Sequence, residues 1–150
     1  MKNSSKIIKS SGYTWENVDK KEYKTDTQNF KDIHRYTLLT DENPGLKIET
    51  RYFEIQPGGY SSLEQHTHTH SVIIIRGSGS IILDNELQKV AVHDVVYISP
   101  ETIHQFHADN GEPLGFICVV SSDRDRPKIP NDERIEARIR SEKVLKKIRK

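Results

Sequence analysis

Residues 57–77 read PGGYSSLEQHTHTHSVIIIRG, and this stretch decides the fold. It opens on a proline–glycine turn signal and closes on a β-branched run that Gly77 stops, the pattern of a turn followed by a strand. Between them stand Glu64 and three of the chain's seven histidines, His66, His68 and His70. Neutral imidazole is the commonest ligand of divalent metals, so this local density marks a metal site. Strand side chains alternate between faces, so Glu64 and His66 point to one side together. A turn at residues 67–69 lets His70 project to the same side from the next strand. His104 follows two hairpins later, a separation that returns the chain to a neighbouring strand of a small antiparallel barrel.

The flanking sequence has the same texture. IHRYTLLT, LKIETRYFEI, SVIIIRG, SIILDN, LQKVAV, DVVYIS, HQFHA and LGFICVVSS are short and rich in Val, Ile, Tyr and Phe. The segments DENPG, QPGG, GSG, DNE, SPET and DNGEP separate them as turns. Eight strands without an intervening helix predict an all-β antiparallel barrel or sandwich over residues 31–126. Residues 1–30 are polar, with isolated aromatics at Tyr13, Trp15, Tyr23 and Phe30, and read as an arm laid over the barrel or over a partner subunit. Residues 127–150 change period. An Asn131–Asp132 start, acids early and bases late predict one charged C-terminal helix, with Ile135, Ile139, Leu145 and Ile148 as a thin apolar stripe.

Composition narrows the function. The 150 residues carry a formal net charge of +1, which gives no global field for nucleic acid. Residues 131–150 are net +4 and the remainder net −3, and the basic tail reads as a solvated helix face. Cys118 is the single cysteine; it excludes an internal disulfide and a cysteine-rich zinc site and reads as a buried strand residue. No segment has the length and hydrophobicity of a signal peptide or membrane span, so a cytoplasmic protein without a membrane partner is expected. Exposed barrel edges and the aromatic arm predict a homodimer.

Residues 45–121 resemble the cupins. Gly58 and Gly77 fit both ends of that superfamily's first motif, and its ligand positions fall on Glu64, His66 and His70. Anchored on His104, the second motif falls on His93, Ser99, Glu101, His104 and Ala108, of which only the histidine matches the pattern. The resemblance implies a double-stranded β-helix, or jelly-roll barrel, holding one metal ion through Glu64, His66, His70 and His104. The carboxylate has exchanged places with an imidazole, so Glu64 is either a direct ligand or a group that orients one. His68 falls in the turn and is the alternative ligand if the strand runs longer. His93 and His107 lie outside the set. His107 has the wrong parity relative to His104 and is expected outside the barrel, and His34 is assigned no role.

Three imidazoles and a carboxylate suit Mn, Fe, Co, Ni, Cu or Zn, and disfavour Mg and Ca. Alternation nominates Tyr52, Glu54, Gln56, Ile74, Tyr97, Phe106, Phe116 and Cys118 as the pocket lining, and a small organic molecule as ligand. Arg51 and Arg76 read as solvated strand residues. The resemblance implies a metal-dependent enzyme on a small metabolite, of dioxygenase or isomerase/lyase type. A non-catalytic, metal-anchored binding module and a metal-free epimerase-like barrel are the alternatives.

Overall fold

The computed structural model describes residues 4–24 and 29–150; residues 1–3 and 25–28 of the expected arm lie outside them. Ten strands and two helices occur among the described residues. The strands are β1 (Ser10–Ser11), β2 (Thr14–Trp15), β3 (Lys21–Glu22), β4 (Lys31–Leu39), β5 (Ile48–Tyr60), β6 (His70–Leu83), β7 (Glu86–Ala91), β8 (Val95–Ile98), β9 (His104–Ala108) and β10 (Leu114–Ser121). The helices are α1 (Asp132–Arg138) and α2 (Glu142–Lys147). No described helix is long and apolar enough to cross a membrane.

Every strand pairing is antiparallel, and the sheet closes on itself because β5 and β6 are each shared between its two sides. The first half of β6 pairs with β8 and β10, and its second half with β7 and β9. Likewise β5 pairs with β4 and β10, then reaches β9 through Tyr60 and His107. The result is the expected all-β barrel.

Two turn signals mark bends inside strands instead. The sequence reading divides SVIIIRG from SIIL at the segment GSG, but β6 runs unbroken through it. Gly77 has φ +67°, and a Cβ there would lie 1.7 Å from the Pro113 carbonyl oxygen. Glycine therefore supplies a corner that lets one strand pass from one side of the barrel to the other without losing its partners. Gly58, at φ +77° within β5, is the equivalent bend in QPGG.

The barrel interior holds one core cluster that includes Ile33, Phe53, Val72, Ile74, Phe106 and Phe116. The aromatic rings stack in a row, Phe53 on Phe116 at 5.6 Å and Phe116 on Phe106 at 4.4 Å. The N-terminal arm covers the outer face of β4 and β5, with Tyr13 and Trp15 on the Tyr52 ring at 6.0 and 4.9 Å. The arm thus lies on its own barrel.

A second cluster (Leu63, Ile82, Ile103, Ile135, Ile139 and Val144) seats the C-terminal segment on the outside of β6 and β9. The single predicted helix is two. Ile139 is extended, and the Arg140 and Ser141 amides donate to Asn85 Oδ1 at 2.8 and 2.7 Å, which captures the chain at the break. Ser141 then caps α2, as Asn131 caps α1. The restart shifts the helical phase, so Val144 is buried and Leu145 is exposed, contrary to the stripe read from the sequence.

This packing also settles His107. It lies on the opposite face of β9 from Phe106, but the C-terminal segment buries it to 4% exposure. Its Nε2–H donates to Gln105 Oε1 at 3.0 Å, an atom that also accepts from the Arg149 amide. Burial, together with the charges of Lys147 and Arg149, lowers its pKa to about 3.

Two outcomes follow from these contacts. Gly77→Ala is expected to destabilise the fold by roughly 2–4 kcal/mol in denaturant titration, through backbone overlap with Pro113 and the positive φ. His107 has a folded pKa near 3, below its ordinary value near 6.5, so the unfolded chain takes up the proton first as pH falls. Its contribution to stability is complete above about pH 6.5 and is lost progressively toward about pH 3. A His107→Asn variant should therefore show a shallower loss of stability between neutral and mildly acidic pH than the parent, by thermal melts at matched pH values.

Candidate metal centre

The centre is assembled by one pairing between distant segments. Glu64 and His104 face each other across an antiparallel bridge, with Glu64 N donating to His104 O at 3.1 Å and His104 N to Glu64 O at 2.9 Å. Two residues beyond Glu64, His66 turns inward, and its carbonyl accepts the Glu101 amide at 2.8 Å. His70 opens β6 opposite Ile98. These placements bring one ligand atom each from His66, His70 and His104 to within 4.8 Å of one another, with all three side chains buried.

The backbone sets the tautomers. His66 Nδ1 lies 2.7 Å from the His68 carbonyl oxygen, and His104 Nδ1 lies 2.9 Å from the Thr102 carbonyl oxygen. A carbonyl only accepts, so each Nδ1 carries the proton and each Nε2 presents a lone pair. Both Nε2 atoms are buried and have no hydrogen-bond partner. Buried polar atoms are almost always paired, so two orphans in one cluster, both aimed at one small volume, fit a cation. Burial, then repulsion from neighbouring imidazoles, lowers His66 to about 4 and His70 to about 2. Both are neutral at physiological pH, the form that binds metal.

Glu64 stands at the edge of this cluster. Its Oε2 accepts from Lys24 Nζ at 2.5 Å and from Ser62 Oγ at 2.7 Å, and its Oε1 lies 3.7 Å from His104 Nε2. Burial pushes its pKa up, but the adjacent His104 imidazole and the Lys24 ammonium outweigh that and hold the carboxyl well below its usual range. Glu64 is therefore an ionised carboxylate with one oxygen tied down and one facing the histidines.

His68 lies in the turn, yet its ring folds back over the cluster, stacked on His66 at 3.7 Å. Asp125 holds it there by accepting from the Thr67 amide, the His68 amide and His68 Nδ1 at 2.8, 2.9 and 2.8 Å. That leaves His68 Nε2 facing His70 Nε2 at 3.0 Å. Asp125 sits 55 residues downstream of His70, and only the closed barrel brings it here.

The second motif is rebuilt without glycine but keeps its backbone. His93 and Glu101 fall where the pattern has glycine, and both adopt left-handed φ values, +78° and +61°. The His93 amide donates to Ile74 O at 2.8 Å, as the Glu101 amide does to His66 O, so each strained residue is held by a backbone bond. His93 and Glu101 act as corners.

His68, His70 and His104 line a cavity of about 200 Å³. Phe106, Phe116 and Cys118 line it as expected, and Cys118 Sγ lies 3.6 Å from His70 Nδ1. Burial pushes the Cys118 thiol up, which keeps it protonated. Tyr52, Glu54, Gln56, Ile74 and Tyr97 are absent from the lining; Tyr52 and Glu54 face outward beneath the arm, and Tyr97 is exposed. Their places are taken by Phe53, Arg51, Arg35, Lys24 and Arg124. Arg51 is 9% exposed and faces the cavity, contrary to its reading as a solvated residue. The sequence could not assign this parity, because residues 51–55 are buried on both faces of β5. Arg76 is on the outside, against Glu54 at 2.5 Å.

Comparison with known proteins agrees with this geometry. A family model described as a cupin domain matches residues 51–120. The chain is 40% identical over 123 residues to a Rhodospirillum rubrum protein named 1-methylthio-D-xylulose 5-phosphate methylsulfurylase, covering 81% of this chain and 78% of the relative. A crystal structure of a cupin 2 conserved barrel domain protein from Rhodopseudomonas palustris superposes with TM-score 0.86 at 39% identity, covering 97% of this chain and 100% of that one. A cupin 2 domain-containing protein from Halorhodospira halophila gives TM-score 0.73 at 36% identity, covering 99% of each chain. With its closed antiparallel barrel, its inward histidine cluster and these relatives, the chain belongs to the cupin family.

Proposed function

We propose that this cupin is a metal-dependent enzyme acting on a small phosphorylated thio-sugar, of the kind named for its R. rubrum relative. The reaction type is a lyase- or isomerase-like change at the carbons beside the sulfur. One observation carries the metal: the orphaned Nε2 atoms of His66 and His104 converge with His70 beside an ionised carboxylate. The substrate class is supported by 40% identity over most of both chains.

In this reading His66, His70, His104 and Glu64 hold one divalent ion from the series Mn, Fe, Co, Ni, Cu and Zn. When bound, such an ion supplies Lewis-acid polarisation of a substrate oxygen. Lys24 and Ser62 fix Glu64 Oε2, which leaves Oε1 on the side of His104, where it would be available to an ion. The His68 and Thr102 carbonyls lock the tautomers of His66 and His104, so neither of these two would have to lose a proton before an ion binds. Phe53, Phe106 and Phe116 form an apolar floor that limits water beside the reacting carbons. His68 serves as the neighbour that buttresses His66 and His70.

The test is metal content and turnover together. Protein purified without added metal, and the same protein after chelation and reloading, is assayed for consumption of 1-methylthio-D-xylulose 5-phosphate. Turnover is expected to vanish on chelation and return with one ion of the series. His66→Ala, His70→Ala and His104→Ala should each weaken metal binding at least about tenfold, while His68→Ala retains stoichiometric metal. Undiminished turnover after chelation, or stoichiometric metal in His70→Ala, overturns the assignment. Full metal occupancy without turnover identifies a metal-anchored binding module instead.

A further inference from the structure

We propose that Arg35, Arg51 and Arg124 form a subsite for the phosphomonoester group of the substrate, on the wall of the cavity next to the histidine cluster. This rests on the substrate class proposed above and assigns residues and an orientation to it. Strand register makes the subsite. Arg35 pairs with Phe53, and Arg51 pairs with Cys118, so both arginines share the inward face with residues that line the cavity. Arg124 reaches the same cavity from the segment after β10.

The arginines are short of partners. Arg35 Nε and Arg51 Nε are buried and make no hydrogen bond. Among the described residues Arg51 Nη2 has only the weak acceptor Cys118 Sγ, at 3.6 Å, and its guanidinium lies over the Phe53 ring at 5.1 Å. Arg124 donates to Ser121 O at 3.0 Å and to Glu49 Oε2 at 2.8 Å. Glu49 Oε2 also lies 3.9 Å from Arg51 Nε. Among the described residues Glu49 is the one carboxylate ion-paired with these guanidinium groups, through Arg51 and Arg124, so positive charge outweighs negative there. Lys24 does not relieve or add to it, because Glu64 neutralises that ammonium.

Crowded like charges, one of them buried, with unsatisfied Nε donors on Arg35 and Arg51 are costly, and a phosphate dianion relieves both costs at once. Guanidinium forks suit it, since each offers paired N–H donors to phosphate oxygens. The excess is of the sign that a phosphate dianion complements. Arg76, on the outer face with Glu54 as partner, has neither property.

The subsite also orients the substrate. Arg51 Nη2 and His70 Nδ1 touch the same Cys118 sulfur, each at 3.6 Å. A short sugar chain anchored by its phosphate at Arg51 therefore extends toward the histidines with its far end, where the methylthio carbon lies.

Titration calorimetry of inorganic phosphate into the metal-free, full-length protein tests this without reference to the ion. One saturable phosphate is expected, weakened by added salt, with acetate binding at least about tenfold more weakly. Arg35→Met, Arg51→Met and Arg124→Met should each lose about tenfold or more in phosphate affinity. Lys89→Gln, on exposed β7, should lose none. Arg51→Lys keeps the charge without the fork and guards against a folding failure of the neutral variant; it should bind more weakly than the parent. Absence of saturable binding in the parent protein overturns the subsite, as does equal affinity for acetate or unchanged affinity in the arginine variants. Failure here with metal-dependent turnover intact removes the subsite alone. Loss of metal-dependent turnover with phosphate binding intact removes the enzymatic reading alone.

Discussion

Two backbone hydrogen bonds between Glu64 and His104, at 3.1 and 2.9 Å, are what the rest of the site depends on. They join the segment leaving β5 to the start of β9. His66 is positioned two residues from one end of this bridge, and the Thr102 carbonyl that orients His104 two residues from the other. The barrel's closure through β6 then delivers His70 from a third strand. A buried, neutral imidazole cluster is costly unless its lone pairs are used. The unpartnered Nε2 atoms of His66 and His104 point to a ligand rather than to packing.

The same barrel divides its interior by charge. Neutral imidazoles and one carboxylate occupy one part of the cavity; Arg35, Arg51 and Arg124, with Glu49 paired to the last two, occupy the next. Cys118 stands between them, in contact with Arg51 and His70. A cavity so arranged has two recognitions to offer a single small molecule, a cation-seeking end and an anion-seeking end. The proposed phosphorylated substrate rests on the second of these.

The histidine cluster and the barrel were legible in the sequence because both rest on local signals: imidazole density at 66–70 and short β-branched runs between turn residues. Long-range partners were not. Asp125, which holds the 67–68 turn, and Lys24, which fixes Glu64, carry no local mark and reach the site only through closure. The parity of β5 was hidden for a different reason. The arm covers the outer face of that strand, so Arg51, Tyr52, Phe53 and Glu54 are all buried and the period-two contrast disappears. Glycine misled in the other direction. In 77–79 it marks a bend that a continuous strand needs, not its end. The C-terminal break depends on Asn85, a side chain more than fifty residues away, and helical periodicity cannot see it.

The most direct measurement is anomalous diffraction from crystals loaded with Mn, Co or Zn, which reads the ion's position and its ligands together. The account predicts a single peak about 2.0–2.3 Å from His66 Nε2, His104 Nε2 and a His70 nitrogen, with Glu64 Oε1 turned toward it. A peak held by His68 and Asp125, or no peak among the three buried imidazoles, would contradict it.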